Sequence, residues 1–127
     1  MEHGHVNWPI WVGVVVDDLE GQRRFYRDTL GFAELSAGED SVWFDGGWPH
    51  LFELIPRPAD PYQGGGGYRV GFAVEDIRAA RVALIARGAE PLGDVEGSES
   101  AGGWWCAFRD PEGNVFEIKE AAPPPAV

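Results

Sequence analysis

Apolar residues follow two spacings along this chain, and the spacings alternate in a fixed order. The run 10-IWVGVVV-16 is continuous, β-branched and apolar, which predicts a buried strand. Asp17 and Asp18 follow it and can cap a helix. From 18 to 30 the apolar residues Leu19, Phe25, Tyr26 and Leu30 form one helical stripe, and Gly31 supplies the stop. The order then returns. A strand-like run, 69-RVGFAV-74, precedes Glu75 and Asp76, and the helical pattern 76-DIRAARVALIAR-87 ends at Gly88.

The hairpins repeat as well. Shifted by 64 residues, 44-FDGGWPHLFEL-54 falls on 108-FRDPEGNVFEI-118, so that Phe44 meets Phe108, Phe52 meets Phe116, Glu53 meets Glu117 and Leu54 meets Ile118. In the helices the shift is 58, taking Asp18 to Asp76 and Leu19 to Ile77, so the second copy carries about six more residues in the loop 89–103. The chain therefore reads as an α+β domain of two tandem βαβββ modules, about residues 9–58 and 68–121. Prolines and glycines in 56-PRPADPYQGGGG-67 mark a linker, placed at 59–67, and the tail 122–127 is expected to be disordered.

Paired modules with the helix 18-DLEGQRRFYRDTLGF-32 and the hairpin 110-DPEGNVFE-117 resemble the vicinal oxygen chelate superfamily, over roughly residues 9 to 121. That superfamily includes glyoxalase I, extradiol dioxygenases, fosfomycin-resistance enzymes and bleomycin-type resistance proteins that bind a drug without chemistry. The resemblance implies sheets that curl round a cavity, a homodimer, and four positions that hold a metal in the metal-dependent members. Two of these map onto Glu53 and Glu117, which are suitable oxygen donors. The other two map onto Trp11 and Arg69. An indole only donates, and a guanidinium is permanently cationic without an acceptor, so neither can ligate a cation.

The expected local chemistry is an ionic cluster in which Arg69 bridges Glu53 and Glu117, in either a functional or a purely structural role. His50 is three residues from Glu53, and strand alternation sets the two on opposite faces. His3 and His5 form an H-x-H near the N-terminus, a weak metal motif that reads better as exposed histidines. Six tryptophans supply aromatic surface, and Trp11, Trp43 and Trp105 are the candidates to join Arg69 in a ligand pocket. Trp104 and Trp105 cannot both face it.

Composition narrows the chemistry further. At 127 residues, 44% of them hydrophobic, the chain suits one domain. A formal charge of −11 opposes nucleic acids and anionic membranes and favours cationic small ligands. No secretory signal or membrane-length apolar run is evident, so a cytoplasmic location is expected. The lone Cys106 reads as a buried thiol, and 64-GGGG-67 lacks the continuation of a phosphate loop. Three functions remain. The first is a metal-free binder of an aromatic or cationic small molecule, of the antibiotic-sequestering type, with no cofactor. In the second, a divalent ion on Glu53 and Glu117 serves a lyase, isomerase or dioxygenase. In the third, a metal-free enzyme uses Arg69 to stabilise an oxyanion, with Glu53 or Glu117 as base.

Overall fold

Strand β1 (Pro9–Val16) is followed by helix α1 (Leu19–Arg24), which passes into a single π turn at Phe25–Thr29. Three strands complete the module: β2 (Ala33–Ala37), β3 (Val42–Asp45) and β4 (Leu51–Pro56). After a 3-10 turn at Arg57–Ala59 the order recurs as β5 (Tyr68–Ala73), α2 (Ile77–Ala86), β6 (Glu90–Pro91), β7 (Glu96–Ser98), β8 (Gly103–Arg109) and β9 (Val115–Ala121). This computed structural model describes residues 5–62 and 67–124. Most of the predicted glycine run, and His3, lie outside the described residues.

By packing, the chain divides into two units, Trp11–Arg69 and a second that joins the N-terminal residues up to Ile10 to Val70 onward. Within each, the strands follow one order. The first runs β2-β3-β4-β1, with β1 parallel to β4; the second runs β6-β8-β9-β5, with β5 parallel to β9. The extra strand β7 lies in the longer loop of the second copy and pairs with β8. In the registers Gly13 stands opposite Glu53 and Gly71 opposite Glu117, so both shifts seen in the sequence coexist in three dimensions.

Local causes account for the element boundaries. Asp18 caps α1 by accepting from Gly21 N at 3.0 Å, and Asp76 caps α2 from Ala79 N at 3.1 Å. Gly31 and Gly88 take the left-handed conformation past the helices. The β8–β9 turn is made by Asp110, which accepts from Glu112 N, Asn114 N and Asn114 Nδ2 at 2.8 to 2.9 Å. The expected helix over 18–30 thus exists, but its last turn is π rather than α. Phe25 and Leu30 stay 45% and 49% exposed, while Tyr26 alone of the latter half is buried.

Each unit has its own core. In the first, Val16, Tyr26, Val42, Phe44 and Leu54 pack together; in the second, Val74, Ile77, Ala80, Cys106, Phe108 and Ile118 do. The N-terminal residues extend the second unit through Asn7 N and Trp8 O, both bonded to Ala73. At the other end Ala122, expected in the disordered tail, is buried and bonds Gly102 O at 3.1 Å. Among the described residues no helix is long and apolar enough to cross a membrane.

Candidate functional site

Strand alternation sorts the candidate residues before any distance is considered. In the first unit Val14, Val16, Val42, Phe44, Phe52 and Leu54 belong to the helix-side core, so Trp11, Trp43 and Glu53 project from the other face. Trp43 and Glu53 are directly paired across β3 and β4. Trp11 folds over Gly13, where an added Cβ would run into its ring, and its indole Nε1 donates to Glu53 Oε1 at 3.1 Å. The indole is 3% exposed. Trp11 therefore holds the Glu53 carboxylate rather than presenting a broad ring to solvent. Gly13 leaves room for the ring, but nothing in W-x-G marks Glu53 as its partner.

Arg69 has a strong partner that sequence reasoning missed. Its Nη1 donates to Asp60 Oδ1 at 2.6 Å and its Nη2 to Asp60 Oδ2 at 3.0 Å, a forked ion pair between side chains that are almost fully buried. Asp60 also accepts from Tyr62 N, and the guanidinium lies 5.5 Å from the Tyr62 ring centre. The hydrogen bond from Arg69 is the main reason the Asp60 carboxyl is held below its ordinary pKa of 3.8. Asp60 was assigned to a linker because prolines and glycines surround it. Nothing local in P-A-D-P marks it as a buried counter-ion.

In the second unit Glu117 is buried on the strand face away from α2, opposite Gly71 and Ala107. Lys119, two residues on, shares that face at 2% exposure, and its Nζ lies 4.9 Å from the ring centre of Trp105, its cross-strand partner. One face of Trp105 thus already covers an internal cation. Trp104 packs on the core of the opposite face, so the two tryptophans do diverge. Alternation from Glu117 would have located Lys119. Cys106 is fully buried beneath α2, and burial pushes its thiol pKa up to about 11, which keeps it protonated and unreactive at neutral pH.

The donor set fits a four-ligand metal centre poorly. Glu53 and Glu117 are oxygen donors, but at the other two positions Trp11 offers an N–H already directed at Glu53 and Arg69 offers a cation paired with Asp60. Among the described residues no three His, Cys, Asp or Glu side chains gather as they would round an ion. His50 faces elsewhere, with Nδ1 3.1 Å from Gly47 O.

One cavity of about 450 Å³ opens in the first unit, on the helix side of its strands. Tyr26, Leu30 and Phe32 line it from the π turn and the residues after it, and Phe44, Leu51 and Phe52 from the hairpin; Val12, Asp45, His50 and Tyr68 contribute the rest. No residue proposed from the sequence as a ligand contact lines this cavity.

A family model described as a glyoxalase-like domain matches residues 11–119. Curated protein sequences give no match. Among solved structures, methylmalonyl-CoA epimerase from Mycobacterium tuberculosis superposes with a TM-score of 0.72 at 19% identity, covering 93% of this chain and 88% of that one. The Mn(II)-bound glyoxalase from Novosphingobium aromaticivorans gives 0.69 at 23% identity, over 95% of this chain and 42% of that one. Homoprotocatechuate 2,3-dioxygenase from Arthrobacter globiformis gives 0.70 at 20%, over 94% and 38%. The chain spans less than half the length of the last two, and likenesses at this identity show the fold alone.

Proposed function

The chain belongs to the glyoxalase-like domain family of the vicinal oxygen chelate superfamily, and we propose that it binds an aromatic or cationic small molecule without a resident metal, as drug-sequestering members of the superfamily do. One observation carries this reading: Trp11, at a ligand position, uses its N–H to hold Glu53. A carboxylate so oriented, beside the half-buried ring of Trp43, offers a negative charge and a π face to one cation. The formal charge of −11 would draw cations toward the protein. Arg69, with its fork on Asp60, would then brace the chain rather than act on substrate.

N-methylquinolinium, a planar aromatic cation, is a direct probe. Saturable quenching of tryptophan emission is expected, weakened about fivefold in Trp43→Leu from loss of a cation–π contact worth about 1 kcal/mol, with no change in melting temperature on adding Mn²⁺. One divalent ion per chain, lost in Glu53→Ala and in Glu117→Ala, would overturn the reading. It would favour a metal-dependent enzyme, which the matching register of the two carboxylates and the likeness to a Mn(II)-bound glyoxalase support.

A further inference from the structure

The cavity of the first unit is not explained by the site above, because it opens on the other side of the same strands. Its volume of about 450 Å³ falls within the usual range for small-molecule sites and is several times the roughly 150 Å³ that holds a benzene. Phe32, Phe44 and Phe52 form an aromatic box, with ring centres 5.8 to 6.0 Å apart. Tyr26 closes one side, 4.8 Å from Phe52, and its hydroxyl meets that of Tyr68 at 2.7 Å.

That hydroxyl pair is the polar feature of the box. Two phenols sharing one O–H···O bond retain one hydrogen for an outside acceptor. Burial first, and the bond to Tyr68 second, push the Tyr26 pKa up to about 12, so its hydroxyl stays protonated at physiological pH. Among the lining residues there is no lysine or arginine to pair with an anion, and the Asp45 carboxylate would repel one. The Nδ1 of His50 donates to Gly47 O, a carbonyl that can only accept.

We infer that this cavity is a second ligand site, which takes a neutral rather than an anionic planar aromatic molecule of two or three rings that carries a hydroxyl or carbonyl group. The rings would lie against the open faces of Phe32 and Phe52, and the polar group would take the hydrogen of the tyrosine pair. The π turn builds the site, since its wider winding puts Tyr26 inward while leaving Leu30 and Phe32 at the opening.

The test uses 2-naphthol with the full chain, followed by NMR of the methyl groups of Val12, Leu30 and Leu51 and of the tryptophan indoles. Saturable shifts at those methyls are expected, with little change at the indole of Trp43. Leu30→Trp, at a half-exposed position where folding is not at stake, should fill the opening and weaken binding about tenfold or more. The double change Tyr26→Phe and Tyr68→Phe, which removes both hydroxyls, should weaken it about fivefold, the equivalent of one neutral hydrogen bond. Shifts centred on the Trp43 indole, undiminished binding in Leu30→Trp, or no binding at all would overturn the inference. So would concentration-dependent shifts of the same methyls without probe, which would make this face a contact between copies.

Discussion

In both hairpins a pair of phenylalanines stacks beneath the helix: Phe44 on Phe52 with ring centres 6.0 Å apart, and Phe108 on Phe116 at 5.8 Å. What covers the pairs differs. Over the second, α2 brings Ala80, fully buried, and Ile77, and its small residues let the helix lie close on the strands. Over the first, α1 is only six residues long and yields to a π turn whose inward residue is Tyr26, and a cavity of about 450 Å³ is left beside it. The same strand order has thus been closed with alanine in one copy and propped open with a phenol in the other. A helix that holds a large ring against a sheet cannot also fill the space beside that ring.

This contrast can be broken from either side. Phe108→Ala should cost about 4 kcal/mol, because its closed surroundings cannot relax into the space, whereas Phe44→Ala, bordering an existing cavity, should cost about 3 kcal/mol. Urea unfolding of the two variants measures the difference, and equal costs would mean that the cavity does not loosen the first core. Outside both cores, Asp60→Asn should cost about 3 kcal/mol by removing one charge of a buried, forked ion pair.

The pH dependence of that loss has a definite sign. The folded-state pKa of Asp60 lies below its ordinary 3.8, so its contribution is complete above that value and is lost as pH falls through the lowered one. The gap in unfolding midpoint between wild type and Asp60→Asn should therefore be full at pH 7 and narrow progressively below about pH 4. A gap independent of pH would assign the effect to packing.

A smaller change sharpens the comparison. Ala80→Leu should destabilise by about 2 kcal/mol, since the close approach of α2 leaves no room for a larger side chain. Smaller again, Trp11→Phe should cost about 1.5 kcal/mol through the hydrogen bond lost by Glu53. Thermal or urea melts suffice for both.

Much of the architecture was legible in the residues, because its determinants are local or repeated. Period-two and period-3.6 apolar spacings, the capping Asp18 and Asp76, the turn residues Asp110 and Gly113, and the hairpin shift of 64 each leave a mark on a short stretch of chain. The chemical character of Trp11 and Arg69, neither of which can ligate a cation, was equally plain. Partnership was not. Asp60 holds Arg69 nine positions along the chain, Trp11 meets Glu53 across 42, and Tyr26 meets Tyr68 across 42. Such contacts depend on where folded strands and turns deliver side chains, which no local pattern encodes. The cavity belongs to the same class: it arises from the space between packed elements, and from a single turn that winds as π where the apolar stripe alone suggested α.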